Sequence, residues 1–292
     1  MEYLYSILIG LIFLSLSCLV TKRFILWSGV VIAVTAVHLL HLETPAFGRM
    51  VVICSTLLMC MKGLVLAEWG GRLTWARWFI FTFLWFGMDP IPFAAKRRQV
   101  TWKKDAAIGL CCVLVGLGVS VGVAYMDTDL ILIMFVPLSI AFHYGALRLL
   151  TAFWRLQGFA VRPLFRNPLL SLGLADFWAK RWNLSFSQMM VRAVQRPVRV
   201  SLGPRAAMFT VFLVSGLLHE LAITLPVQSG YGLPTLYFVL HGIIVLLEPD
   251  TWPVWLKRPL ALLIVIVPMP FLFPTVFTEQ VIRFTLNYLQ IF

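Results

Sequence analysis

AAMFTVFLVSGLLHELAITLP, residues 206–226, is a run of 21 residues in which His219 and Glu220 are the only ionisable side chains. A helix rises about 1.5 Å per residue and the hydrocarbon core of a bilayer is about 30 Å thick, so the run has the length of one membrane crossing. Lipid offers no partner to a free backbone, which makes a helix the default. A His and a Glu inside such a helix are costly, and the default reading of an ionisable residue there is functional.

The rest of the chain fits the same solvent. It has 292 residues, 61% hydrophobic and 12% charged, with a mean hydropathy of +0.91. A soluble domain of that composition would expose too much apolar surface. Further crossing-length runs lie at about 3–20, 24–42, 48–67, 106–126, 129–150, 232–248 and 259–278, giving about eight transmembrane helices. WFIFTFLWF at 78–86 is shorter and runs into MDPIPF, which suggests a re-entrant or interfacial segment. No linker, low-complexity tract or internal repeat is visible, so residues 1–292 read as a single polytopic membrane domain, all-α. The start, MEYLYSILIG, lacks the basic region and cleavage site of a signal peptide, so the first span is expected to be retained. Cys18, Cys54, Cys60, Cys111 and Cys112 all fall in apolar runs and imply neither a disulfide framework nor a metal site.

The net charge of +12 would suggest nucleic acid in a soluble protein. Here the bases cluster in alternate connections, which points to topology instead. Lys22 and Arg23, seven bases between Arg72 and Lys104, nine between Arg155 and Arg205, and Lys257 with Arg258 fall on one side if the N-terminus is outside. The other side carries Glu2, Glu43, Asp127, Asp129 and Glu279, with Arg49 and Arg283 as its bases. The basic loops are therefore expected to be cytosolic, and no nucleic-acid partner is expected.

The long inner stretch 151–205 mixes rings, aliphatics and Arg as amphipathic interfacial helices do. Within LADFWAKRWN at 174–183, Asp176, Lys180 and Asn183 fall at i, i+4 and i+7, one face of a helix, with Trp178 and Trp182 on an adjacent face. Taken alone, Asn183 reads as a surface amide, and Lys180 and Arg181 as anchors for anionic membrane lipids, worth ~1 kcal/mol each. They equally suit docking of a soluble polyanion. His219, desolvated, is expected to be a neutral imidazole, the form a general base needs. It also fits a core histidine bonded to a neighbouring helix. Glu220 lies about 100° further around the helix and calls for a donor on another helix. His241, with Glu248 seven residues on, suits either a helix–helix hydrogen bond or the lining of a cavity. His143, before Tyr144, reads as a satisfied core or interfacial histidine. His38 and His41 lack a third ligand for a metal. There is no P-loop, GxSxG or CxxC.

FRNPLLSLGLADFWAKRWNL at 165–184 resembles the signature of plant-type wax synthases (long-chain-alcohol O-fatty-acyltransferases), members of the membrane-bound O-acyltransferase superfamily. FLVSGLLHELA at 212–222 is similar to their S-G-hydrophobic-H-E block, and FVLHGIIVLLE at 238–248 to a later H-G block ending in Glu. The three blocks, about 165–248, come in the family's order. The resemblance implies transfer of a fatty acyl group from acyl-CoA to a hydroxyl acceptor, most simply a long-chain alcohol giving a wax ester. It implies no resident cofactor, acyl-CoA being a co-substrate. It makes His219 the catalytic base and Asn183 its assistant, and places Asp176, Trp178, Lys180, Arg181, Trp182, Glu220 and His241 around the substrates. Ala179 and Lys180 stand where the family commonly has Gly and Arg. A sterol, diglyceride or polysaccharide acceptor is the alternative within the class. A proton-coupled transporter built on His219, Glu220, His241 and Glu248, or a non-catalytic lipid-binding scaffold, are the alternatives outside it. The short loops favour a bacterial inner membrane over the endoplasmic reticulum.

Overall fold

The fold is seen in a computed structural model that describes residues 2–17, 19–20, 22–124, 136–249 and 251–283. Among these residues the chain is helical, without strands. Six helices are long and apolar enough to cross a membrane: Arg23–Leu40, Ala46–Trp69, Lys103–Val123, Val136–Leu156, Leu184–Val227 and Val254–Leu272. Two apolar helices are shorter, Glu2–Ser17 and Leu233–Leu247. Each of the eight runs picked out by hydropathy therefore contains a helix, although 125–126 of the fourth and 129–135 of the fifth lie outside the described residues. Trp75–Phe83 forms a helix of 9 residues, too short to cross. Ile32, Leu114 and Val267 in the long helices are 68%, 63% and 70% exposed. Apolar surface of that kind is stable against hydrocarbon rather than water. This is an all-α, multi-pass membrane protein.

Two departures from regular helix matter. The Arg196–His219 helix leaves helical geometry at Gly203 (φ 81, ψ 175), immediately before Pro204, whose ring would clash with a continuous helix. In the last crossing-length helix, Val254–Leu272, regular α-helix is interrupted after Ile266 and resumes at Met269–Leu272 behind Pro268, and Pro274 precedes the short turn Thr275–Phe277.

The described residues form two compact units. The first comprises 1–70, 172–175 and 188–284. Its first three helices pack through Leu14, Val30, Val34, Val37, Ile53 and Leu64, all nearly inaccessible. His41 is wholly buried, its Nε2 2.9 Å from Ser6 Oγ and its Nδ1 3.0 Å from Thr44 Oγ1. Arg23 donates to both oxygens of Glu68, at 2.5 and 2.9 Å. Further along, Arg196–His219 packs closely on Leu233–Leu247. A Cβ on Gly216 would lie 2.7 Å from Thr235 Cα, and one on Gly242 would lie 2.9 Å from Phe212 Cβ. Small residues at a helix contact let backbones approach, the device that membrane helices use in place of hydrophobic association.

Among the described residues the second unit comprises 71–124, 136–171 and 176–187. Phe93, fully buried, gathers Phe159, Phe81 and Trp154 at centroid distances of 4.9, 5.8 and 6.3 Å. Trp154 Nε1 donates to the carbonyl of Leu84 at 3.0 Å. At the start of the Lys103–Ala124 helix, buried Asp105 accepts from Arg148 Nε (2.9 Å) and Arg155 Nη1 (2.5 Å). Both arginines belong to the Leu147–Leu156 helix.

Candidate active site

His219 is the last α-helical residue before Glu220–Thr224, a π-helical turn. A π turn fits one extra residue into the helix and often marks a functional position. The imidazole Nδ1 is 2.7 Å from the carbonyl of Ser215, four residues back on the same helix. A carbonyl only accepts, so the proton sits on Nδ1, and a neutral ring keeps its lone pair on Nε2. The ring lies against Phe238, centroids 4.3 Å apart, and the residue as a whole is half-buried. An oriented imidazole acceptor in an apolar helix can take a proton from a hydroxyl.

Glu220 turns away, as its angular offset requires. Its Oε1 accepts from Gly232 N (3.1 Å), Thr235 N (2.9 Å) and Thr235 Oγ1 (2.8 Å), and its Oε2 from Thr224 Oγ1 (2.5 Å). His241 is buried, with Nδ1 2.6 Å from the Tyr237 carbonyl and its ring 4.1 Å from that of Tyr237. Glu248 follows the last helical residue, Leu247, with a helical φ of −63 and its amide still on the Ile244 carbonyl at 2.8 Å, so the chain leaves the helix only after it (ψ 112). Its carboxylate accepts the amides of Leu174 (3.1 Å) and Ala175 (3.4 Å), at the start of the Trp-rich block.

In the other unit, the block is a helical turn that breaks. Asp176 pairs with Arg181 Nε at 2.9 Å and, at i+4, with the exposed Lys180 at 3.5 Å. Phe177–Arg181 is π-helical, Trp182 is extended (φ −99, ψ 130) and Asn183 has φ 42. The expected common faces are thus not formed: Asn183 leaves the helix that carries Asp176 and Lys180, and Trp182 leaves that of Trp178. Trp182 stacks on Phe177 at 5.9 Å, meets Phe165 edge-on at 5.1 Å and approaches His143 at 5.7 Å. Trp178 packs edge-on to Phe177 at 5.1 Å. Asn183 Oδ1 accepts the amide of Phe186 at 3.2 Å and caps the Leu184–Met190 helix. Asn is the residue type that tolerates positive φ and caps well. His143 Nδ1 lies 2.8 Å from Ser139 Oγ.

Asn183 and His219 belong to different units. Among the described residues, no group of three His, Cys, Asp or Glu side chains is placed to hold a metal ion. Sequence reasoning missed Ser215, Thr235 and Phe238, the neighbours that fix His219 and Glu220; only the i−4 spacing of Ser215 pointed to one of them. It also passed over Lys62, wholly buried within Ala46–Trp69, which a search for charges inside crossing-length runs finds.

A helical membrane protein with a histidine oriented inside an apolar helix is the class this geometry defines. Residues 161–240 match the Membrane bound O-acyl transferase family. The chain is 35% identical over 102 residues to the probable long-chain-alcohol O-fatty-acyltransferase 2 of Arabidopsis thaliana, covering 32% of this chain and 30% of that protein. It is 38% identical over 96 residues to the probable long-chain-alcohol O-fatty-acyltransferase 1 of the same plant, covering 30% and 28%. It is 34% identical over 100 residues to the long-chain-alcohol O-fatty-acyltransferase of Simmondsia chinensis, covering 31% and 28%. The match thus spans less than a third of the length of these relatives. The likeness read from the motif blocks holds over this segment, which contains both Asn183 and His219.

Proposed function

We propose that the chain is an acyl-CoA-dependent O-acyltransferase that makes wax esters from long-chain alcohols. One observation carries the reading: His219, set in an apolar helix, has Nδ1 engaged by the Ser215 carbonyl, which puts the proton there and makes Nε2 the basic nitrogen of the neutral ring. Nε2 takes the proton of the acceptor hydroxyl while its oxygen bonds to the thioester carbonyl carbon. The tetrahedral oxyanion collapses, the C–S bond breaks, and the departing thiolate takes the proton back from the imidazolium. Ester and free CoA leave, histidine is restored, and neither an acyl-enzyme nor a resident cofactor is required. Apolar surroundings exclude the water that would hydrolyse the thioester.

In the same reading Asn183 assists through its amide nitrogen, since its oxygen caps Phe186; a preorganised donor to an oxyanion lowers a barrier by ~3 kcal/mol. The exposed Lys180 and partly exposed Arg181 face the CoA phosphates from the cytosolic side, where the basic connections lie. Residues 1–292 act as one membrane domain, and the short connections favour a bacterial inner membrane over the endoplasmic reticulum. The names of the plant relatives support a long-chain alcohol over a sterol, diglyceride or polysaccharide.

The test is incubation of membranes containing the protein, or its His219→Ala form, with labelled palmitoyl-CoA and a panel of alcohols, sterols and diglycerides. A labelled wax ester formed by the unmutated protein alone supports the reading. Equal ester from both forms removes His219 from the mechanism.

A further inference from the structure

An ionised carboxylate accepts but never donates, and one set in an apolar helix is costly unless donors fill its lone pairs. Glu220, half-buried, is filled in this way, by two backbone amides and two hydroxyls within 3.1 Å. Three of these four donors come from the start of the next helix. Leu233–Leu247 begins at Gly232, which has no side chain to cap it. The first amides of any helix lack partners inside it. Here Leu233 N donates to the Gly230 carbonyl, Pro234 has no N–H, and the Gly232 and Thr235 amides go to Glu220. The cap of this helix is supplied by the residue next to His219.

We propose that Glu220 is a positioning residue: its carboxylate fastens the N-terminus of Leu233–Leu247 to the turn bearing His219, and so fixes Phe238 against the imidazole. Three contacts act together. Glu220 holds Thr235 by main chain and side chain. Gly216, one turn before His219, gives Thr235 room to approach. Phe238, one turn after Thr235, then meets the His219 ring at 4.3 Å. Thr224 Oγ1 on Oε2 ties the same carboxylate to the far end of the π turn, so the turn cannot relax without releasing the helix. The proposal rests on His219 being the base, and it replaces the substrate-binding part that the motif gives Glu220 with a structural one that acts through His219.

The experiment measures ester formation from labelled palmitoyl-CoA and a long-chain alcohol by purified Glu220→Ala, Glu220→Gln, Thr235→Val, Thr235→Ser and His219→Ala, with thermal unfolding of each. A carboxamide oxygen can still take the three Oε1 donors while its N–H donates to Thr224, so Glu220→Gln keeps the cap without the charge. Misplacing a reacting group by about 1 Å costs about 100-fold in rate. The expected result is a kcat lowered about 100-fold in Glu220→Ala and about 10-fold in Thr235→Val, with KM values within about twofold. Glu220→Gln stays within about fivefold of the unmutated rate, and Thr235→Ser recovers most of what valine loses. Should Glu220→Ala not fold, Glu220→Gln and Thr235→Val carry the test. Glu220→Gln as impaired as Glu220→Ala beside an unaffected Thr235→Val would overturn the proposal, because the charge itself would then be in use. A rise confined to KM would overturn it in favour of substrate binding. An inactive His219→Ala beside an unimpaired Glu220→Ala removes the clamp alone, whereas a fully active His219→Ala removes the base and the clamp together.

Discussion

Glu248 occupies the space that a side chain on Gly173 would need: a Cβ there would fall on the carboxylate, whose Oε1 and Oε2 accept the amides of Leu174 and Ala175. Gly173 also has φ 155, in the region that favours glycine. The end of the Leu233–Leu247 helix and the beginning of the ADFWAKRW segment are thereby one joint. Gly173→Ala is expected to expel Glu248 and to cost about 1–3 kcal/mol, and Glu248→Ala to cost a similar amount by leaving two amides unfilled. Thermal unfolding in detergent checks both, and the double variant should lose less than the sum.

Gly216→Ala and Gly242→Ala should both destabilise the protein. The added methyl of the first meets Thr235 Cα at 2.7 Å and that of the second meets Phe212 Cβ at 2.9 Å, and no side-chain rotation moves either atom away. Overpacking costs about 1–3 kcal/mol, and thermal unfolding in detergent measures it. An alanine at either position that leaves the melting temperature unchanged would contradict the packing described for this helix pair.

Asn183 allows its two roles to be separated. Asn183→Asp keeps a capping oxygen and removes the amide donor, while Asn183→Ala removes both and is strained at φ 42. Alanine should cost about 1–2 kcal/mol of stability, and aspartate little. If the amide nitrogen serves the reaction, aspartate loses about 100-fold in kcat in spite of its stability. A stable and fully active aspartate variant would reduce Asn183 to a cap.

Asp105→Asn leaves Arg148 and Arg155 facing a neutral amide in a partly buried setting. Removing one partner of such a network costs about 3–5 kcal/mol, reduced here because the arginines are 17% and 20% exposed. The melting temperature should fall. Restoring it by adding Arg155→Met would show that the uncompensated guanidinium, rather than lost packing, is responsible.

The crossings are legible in the sequence because bilayer thickness is a length constraint, and apolar runs report length directly. The nine-residue helix at Trp75 is excluded as a crossing by the same arithmetic. The Trp-rich block misleads for a physical reason. Asp176, Lys180 and Asn183 share a face only if one helix runs through all three, and nothing in the residue types announces that Trp182 is extended. Positive φ at Asn183 is permitted by Asn without being demanded by it. The π turns at Ile140–Ala146, Phe177–Arg181, Val191–Gln195, Glu220–Thr224 and Thr278–Arg283 carry no compositional sign, yet each shifts every face beyond it. His219 and Glu220 are conspicuous because charge in an apolar run is costly, whereas Ser215 and Thr235 act through groups that any helix possesses.

His219 and His241 are aimed alike, each by the carbonyl four residues before it, and they differ in that His241 is fully buried and His219 half-buried. The direction in which each Nδ1 points is thus written into a single helical turn. What presses on the ring is not: Phe238, which meets His219 at 4.3 Å, arrives from the next helix. Aim and seat therefore come from different segments, and a change in the second helix would loosen the ring without turning it.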